Sequence, residues 1–126
     1  MTPNYSTHAQ MLPDAQPVHA SLLHGSGETL ILANPNNPDG RLLSRDVLTR
    51  VVAQRDPGCW LLLDEAFADT QNAESLAAHV SDDRRLIVFR SFGKFFGLAG
   101  VRLGFVIAPV PVLERLRRWL GAWPVS

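Results

Sequence analysis

The segment from residue 86 to residue 102, LIVFRSFGKFFGLAGVR, joins an apolar run to a polar loop that contains glycines. Its first part, residues 86–89, is continuously apolar, which is typical of a strand buried on both faces of a sheet. The run ends at Arg90 and Ser91, and Lys94 follows in the loop. Ligands of open α/β sheets bind beyond the carboxyl ends of the strands, so we expect a functional site at this loop.

An apolar run followed by polar residues occurs twice earlier in the chain. Residues 29–33 form a run that stops at the turn NPNNPDG of residues 34–40. Residues 60–63 form a second run that stops at Asp64 and Glu65. Both runs are predicted to be buried strands.

Helical patterns lie between and after these strands. Ser44 can cap a helix with an apolar side, and Pro57 with Gly58 ends it. The remaining predicted elements are a short helix over residues 73–80, a fourth strand over residues 101–108 and a last helix that begins near Pro111 and stops at Gly121. Buried strands that alternate with helices indicate a three-layer α/β/α fold with a mostly parallel sheet. Residues 1–28 show no sustained period and are expected to form an irregular N-terminal segment.

The composition argues against several classes of function. The chain has 126 residues, with 12 Lys and Arg against 12 Asp and Glu, so its formal net charge is zero. This balance disfavours a protein that binds nucleic acid through phosphate contacts and a polybasic membrane-surface protein. No run can span a bilayer, no secretory signal is visible, and the single cysteine, Cys59, cannot form an internal disulfide. We therefore expect a cytoplasmic protein without a membrane or nucleic-acid partner, and the histidines show no metal-ligand spacing.

Polar groups at three successive strand ends converge if these strands are neighbours: Asn37, Asp64, Ser91 and Lys94. One candidate function is a nucleoside triphosphatase, because residues 61–65, LLLDE, have the pattern of a strand whose aspartate holds magnesium. That function needs a phosphate-binding loop of the form G-x-x-x-x-G-K-[ST]. The only Gly-Lys pair, Gly93 with Lys94, follows the acidic strand, and Phe95 stands where Ser or Thr is required. The triphosphatase is therefore disfavoured.

Three motifs together indicate a more specific function. They are NPNNPDG at residues 34–40, DEAF at residues 64–67 and SFGKFFGLAGVR at residues 91–102. In residue types, order and spacing they resemble the fold-type I pyridoxal-phosphate enzymes, the aspartate aminotransferase superfamily. The resemblance implies that residues 1–126 form a partial large, cofactor-binding domain, that the small C-terminal domain is absent, and that the full-length parent is a homodimer.

The resemblance also implies roles toward the cofactor, pyridoxal 5'-phosphate. Lys94 matches the lysine that bonds to the cofactor aldehyde, and Asp64 matches the carboxylate beside the ring nitrogen, so these two are the catalytic candidates. The other cofactor-binding candidates have three roles. Asn37 matches the partner of the phenolic oxygen, and Tyr5 matches the ring that stacks on the cofactor. Ser91 and Arg102 match the phosphate ligands. These residue types suit an electron-sink cofactor that the protein must position and tune.

Two positions depart from the family pattern. Phe67 stands where many relatives have a tyrosine whose hydroxyl touches the phenolic oxygen, which leaves Asn37 as the visible donor. Asp39 stands where threonine is common, but an aspartate can bond its own turn backbone, so the turn is expected to survive. The Asn37–Pro38 bond in this tight turn is a candidate for the cis isomer.

The residues around Lys94 favour one reaction within this superfamily. RSFGKFFGLAG at residues 90–100, RLGF at residues 102–105 and DEAFAD at residues 64–69 resemble the threonine-phosphate decarboxylases of cobalamin biosynthesis. Histidinol-phosphate aminotransferases are the alternative, and either class implies a small phosphorylated amino acid or amine as substrate. A second alternative is a truncated, catalytically silent fragment with a partial cofactor site. In that case the 126-residue chain alone has no measurable turnover.

Overall fold

The computed structural model describes residues 6–23, 27–70 and 74–121. It contains four strands, β1 (Leu30–Ala33), β2 (Leu61–Asp64), β3 (Leu86–Ser91) and β4 (Gly104–Ile107). Its three α-helices are α1 (Ser6–Met11), α2 (Arg45–Ala53) and α3 (Val110–Leu120). Short 3-10 turns occur at Ala20–Leu22, Ala68–Thr70, Ala77–His79 and Ala99–Val101. α1 and the first of these turns fall in the segment that shows no period in the sequence.

The strands form one sheet in the order β1-β2-β3-β4. β1 pairs with β2, and β2 with β3, in parallel, so their carboxyl ends lie at one edge. β3 and β4 are antiparallel, and the chain between them turns back through a loop that holds a 3-10 turn and no crossover helix. The expected mostly parallel sheet is confirmed, and the three strand ends that carry polar motifs are neighbours.

The hydrophobic core lies between one face of the sheet and α2. Alternate strand residues point to this face, and the wholly buried Leu48 and Val51 of α2 pack against them. Ser44 caps α2 as predicted, since its hydroxyl accepts a hydrogen bond from the Val47 amide at 3.4 Å. The opposite face of the sheet lines an open groove of about 670 Å³, with α1 at its side.

A buried guanidinium ties the segment before β1 to the end of α2. Arg55 is only 3% exposed. Its three nitrogens donate to the carbonyl oxygens of Leu23, Glu28 and Val51 at 2.6–3.2 Å. Buried charges persist where hydrogen bonds satisfy them, so Arg55 is a structural residue.

Two predicted elements differ from the structure. Of the helix predicted over residues 73–80, the structure shows a 3-10 turn at Ala77–His79. The amide of Leu76 donates to the Glu65 carboxylate and that of Ala77 to the Ser75 hydroxyl, so side chains take donors that a helix would need. The fourth strand begins at Gly104 instead of residue 101, because the chain turns through Ala99–Val101 first.

The last helix begins and ends as predicted. Pro111 lies in its first turn and Gly121 caps its end with φ of 75°. Its predicted inward residues Val112, Leu113 and Leu116 are half-buried, whereas Leu120 is 61% exposed. In the described part of the chain, no helix combines the length and apolar character that crossing a membrane requires.

Candidate functional site

The turn after β1 presents Asn37 at the edge of the sheet. The buried Asn34 side chain exchanges two hydrogen bonds with the backbone of Leu43, at 2.8 and 3.1 Å. The amide of Asn36 donates to the Arg41 carbonyl oxygen, and the amide of Gly40 donates to the Asn36 carbonyl oxygen, both at 2.8 Å. Both Asn-Pro bonds of this turn, 34–35 and 37–38, are cis.

Asp39 holds this turn as expected from the sequence. Its carboxylate accepts hydrogen bonds from the Asn36 side chain at 2.7 Å and the Arg41 amide at 3.1 Å, and it pairs with the Arg41 guanidinium at 2.8 Å. The hydrogen bond from Asn36 is the main cause that lowers the pKa of Asp39 below its ordinary value of 3.8. The aspartate therefore replaces the common threonine without loss of the turn.

Asp64, the last residue of β2, is held from two sides. Its Oδ1 accepts a hydrogen bond from the Ala66 amide at 2.9 Å. Its Oδ2 lies 3.3 Å from Nε2 of His8, which α1 carries. The carboxylate is thus fixed by the turn that follows it and by a helix from the N-terminal part of the chain.

The loop after β3 places Lys94 beside Phe67. The Ser91 hydroxyl accepts from the Gly93 amide at 3.0 Å, and the Gly97 amide donates to the Lys94 carbonyl oxygen at 3.1 Å. Gly97 has φ of 68°, which favours glycine. The Lys94 Nζ lies 5.2 Å from the centroid of the Phe67 ring, and this lysine is the only one in the sequence.

Three of the predicted site residues line one cavity. Asn37, Asp64 and Lys94 surround a space of about 60 Å³, together with Ala33, Ala66 and Phe67. The larger groove of about 670 Å³ shares Asp64 and Ala66 with this cavity, and Ser91 lines it. A further cavity of about 240 Å³ lies at the start of β3, lined among others by His79 and Arg85, and shares no residue with these two.

Arg102 lies two residues before Gly104, the partner of Ser91 in the β3–β4 pairing, and it lines neither the small cavity nor the larger groove. The Phe92 amide donates to the Leu103 carbonyl oxygen at 3.4 Å, and Arg102 directly precedes Leu103 in the chain. It has a left-handed backbone with φ of 53°, which non-glycine residues rarely adopt. Within the described ranges its guanidinium has no hydrogen-bond or ion-pair partner, and the residue is exposed. Tyr5, the predicted stacking ring, lies outside the described residues.

His8 is a site residue that the sequence pattern missed. It stands in a segment without helical or strand period, and its contact with Asp64 joins distant parts of the chain. No local signal predicts such a contact. Within residues 6–23, 27–70 and 74–121, no cluster of three or more histidine, cysteine or acidic side chains could hold a metal ion.

Residues 4–126 match the family model of the class I and II aminotransferases. The chain belongs to this family. It is 47% identical over 130 residues to a threonine-phosphate decarboxylase of Sinorhizobium sp, which covers 98% of this chain and 39% of that protein. It is 48% identical over 100 residues to a threonine-phosphate decarboxylase of Pseudomonas aeruginosa, covering 79% of this chain and 30% of that protein.

Solved structures of this family share the fold. The L-threonine-O-3-phosphate decarboxylase of Porphyromonas gingivalis superposes with a TM-score of 0.70 at 29% identity, over 79% of this chain and 30% of that one. The histidinol-phosphate aminotransferase of Sinorhizobium meliloti, solved with pyridoxal 5'-phosphate, gives 0.64 at 28% identity, over 70% of this chain and 24% of that one. The family depends on pyridoxal phosphate, and this chain spans between 30% and 39% of the two decarboxylases that it matches in sequence.

Proposed function

We propose that this chain is the cofactor-binding part of a pyridoxal-phosphate decarboxylase that acts on L-threonine O-3-phosphate. The observation that carries the proposal is the cavity that Asn37, Asp64 and Lys94 line together. A carboxylate, an amide and a primary amine at one sheet edge are the groups that this cofactor needs. The identity of 47–48% to two threonine-phosphate decarboxylases supports the substrate.

The residues present fit the cofactor by their chemistry. Lys94 would hold its aldehyde, Asp64 its ring nitrogen and Asn37 its phenolic oxygen. The exposed guanidinium of Arg102 and the hydroxyl of Ser91 would hold its phosphate, since a guanidinium keeps its charge and binds phosphate bidentately. When bound, the cofactor supplies an electron sink for negative charge at the α-carbon of the substrate.

The protein groups have separate tasks in this proposal. Asp64 stays in place because Ala66 and His8 hold its two oxygens, so its charge faces a fixed position. Lys94 is the amine that can take up or release a proton at Nζ near the substrate. Phe67 covers one side of this amine and presents no hydroxyl. Tyr5 remains the proposed stacking ring.

The test of the cofactor site uses the single lysine of the chain. The purified chain is incubated with pyridoxal 5'-phosphate, reduced with borohydride and digested, and the peptide masses are measured by mass spectrometry. We expect the cofactor mass on Lys94, whereas the Lys94→Arg chain is labelled only on the α-amine of Met1. Equal labelling of both amines in the wild-type chain would overturn the proposal.

The fate of threonine phosphate separates the reactions. Release of carbon dioxide above that from free cofactor or from the Lys94→Arg chain supports the decarboxylase. Appearance of pyridoxamine phosphate supports the aminotransferase, which the 37% identity to a histidinol-phosphate aminotransferase of Archaeoglobus fulgidus keeps as a second candidate. If Lys94 is labelled and neither product appears, the chain is a silent fragment.

A further inference from the structure

A buried carboxylate lies directly behind the candidate site. Glu65 follows Asp64 and is 1% exposed. Its Oε1 accepts from the Leu76 amide at 2.8 Å, and its Oε2 accepts from the Ser75 hydroxyl and from Arg90 Nη1, the latter at 3.2 Å. All of its oxygens are therefore satisfied although water does not reach them.

Arg90 joins this carboxylate to a second one. Its other terminal nitrogen, Nη2, donates to Asp69 Oδ1 at 2.6 Å. One planar guanidinium thus bridges Glu65 at the end of β2 and Asp69 in the turn beyond it. A lysine could not bridge both with fixed geometry, because it offers a single ammonium group on a flexible stem.

The network clamps together the two strand ends that carry the site. The last paired residues of β2 and β3 are Asp64 and Phe89, and the Glu65 amide still donates to the Phe89 carbonyl oxygen at 2.9 Å. Next to this backbone bond, an ion pair between Arg90 Nη1 and Glu65 Oε2 at 3.2 Å joins β3 to the residue that follows β2. The ion pair thus lies between Asp64 at the end of one strand and the loop that carries Lys94 after the other.

The same network fixes the turn that carries Phe67. This residue lies between Glu65 and Asp69, and Arg90 holds both. Because the Phe67 ring lies 5.2 Å from Lys94 Nζ, a shift of the turn moves the ring relative to the amine. A buried ion pair is by itself weak evidence for a role in stability, because apolar groups of similar volume often stabilise a core as well.

We propose that the Glu65–Arg90–Asp69 network is a positioning device that sets the distance and orientation of Lys94 relative to Asp64 and Phe67. The inference rests on the proposed function, since the groups positioned are those that would hold pyridoxal 5'-phosphate. None of the three network residues touches the cofactor in this proposal. They act through the residues next to them in the chain.

The first measurement needs no cofactor. Reductive methylation with ¹³C-formaldehyde labels the single lysine, and its methyl signal senses the nearby Phe67 ring. We expect the signal to move toward that of a lysine without a neighbouring aromatic ring in Glu65→Gln and, less far, in Asp69→Asn. The matched control is Glu74→Gln, which removes an exposed carboxylate paired with Arg45 at 3.4 Å, and it leaves the signal unchanged.

The second measurement is the rate of borohydride-trapped labelling of Lys94 by pyridoxal 5'-phosphate, relative to that of the Met1 amine. We expect at least a roughly tenfold fall in Glu65→Gln, because misplacement by about 1 Å strongly slows a reaction that depends on orientation. Both measurements are made well below the melting temperature of each variant. If Glu65→Gln does not fold, Asp69→Asn decides, because Asp69 is only partly buried.

The outcomes separate this inference from the proposed function. If the wild-type chain is not labelled at Lys94, the proposed cofactor site is wrong. The methyl signal still tests whether the network positions Lys94 relative to Phe67. An unmoved methyl signal together with an unchanged labelling rate in both variants overturns the positioning role and leaves the cofactor site standing. Movement of both readouts in the two variants, but not in Glu74→Gln, supports the inference.

Discussion

His8 Nε2 lies 3.3 Å from Asp64 Oδ2, so a residue of the N-terminal helix α1 contacts the carboxylate proposed for the cofactor ring nitrogen. Both side chains are about three-quarters buried, at 21% and 25% exposure. The contact fixes the second oxygen of Asp64, which the Ala66 amide does not reach. Orientation of this carboxylate therefore depends on a part of the chain far from it in sequence.

We expect His8→Phe to weaken binding of pyridoxal 5'-phosphate about fivefold, because a partly exposed contact of this kind is worth about 1 kcal/mol. His8→Gln keeps a side-chain hydrogen-bond donor, so we expect a smaller loss of affinity in this variant. Absorbance titration of the cofactor measures both affinities. His79→Gln, at the other end of the sheet, is the control, and an affinity of His8→Phe equal to that of this control contradicts the prediction.

Arg102→Gly separates backbone strain from charge. Glycine adopts the left-handed conformation of residue 102 without the crowding of a β-carbon, which relieves about 1 kcal/mol. The melting temperature of the cofactor-free chain is expected to rise by about 3 °C. Affinity for pyridoxal 5'-phosphate falls at least about tenfold through loss of the charged phosphate ligand.

Pyridoxal without its phosphate is the control ligand for Arg102→Gly. Its affinity is expected to stay unchanged, because the guanidinium is proposed to bind only the phosphate. An equal loss of affinity for both ligands would show that Arg102 acts on the ring or on the fold, and not on the phosphate.

Asp39 makes the stability of the turn after β1 depend on pH. Its pKa is lowered in the folded chain, chiefly by the Asn36 hydrogen bond, so the folded state favours the ionised form. The resulting stability is present above the ordinary value of 3.8 and is lost as the pH falls through the lower, folded value. Urea unfolding from pH 7 to pH 2 should show a margin of wild type over Asp39→Asn that shrinks below 3.8. A margin independent of pH refutes this.

Arg55→Met tests the buried guanidinium. The substitution removes the hydrogen bonds that Arg55 donates to three carbonyl oxygens. Each such bond is worth on the order of 1 kcal/mol, so we expect a loss of about 3 kcal/mol in the free energy of unfolding. Urea denaturation measures it. Arg50→Met, at an exposed position of α2, should change this energy by less than about 0.5 kcal/mol. Equal effects of the two changes would contradict a structural role for Arg55.

Local patterns were enough to predict the sheet and the convergence of Asn37, Asp64 and Lys94 at one of its edges. Each strand is a short apolar run that ends at polar residues, and parallel pairing brings such ends to one edge. Asn37, Asp64 and Lys94 each belong to a motif on its own strand end. Their common cavity therefore follows once the strands are neighbours.

Contacts between distant residues could not be predicted in this way. The helix expected over residues 73–80 is not seen where described, because Glu65 binds Leu76 and Ser75, an interaction that no periodic pattern contains. The His8–Asp64 contact and the Arg90 bridge likewise depend on which side chains the folded sheet turns toward each other. The strained backbone of Arg102 also has no sequence signature, since glycine would be expected there.

The strand order has a consequence for the way the chain acquires its structure. Each strand pairs with the one that precedes it, so during synthesis from the N-terminus every new strand emerges after its partner. The two parallel pairings still join residues far apart in sequence, such as Leu30 with Leu61, and pairing of this kind is associated with slow folding. The partner strand of β3 is thus synthesised before β3 itself, and the carboxylate of Asp64 before the amine of Lys94.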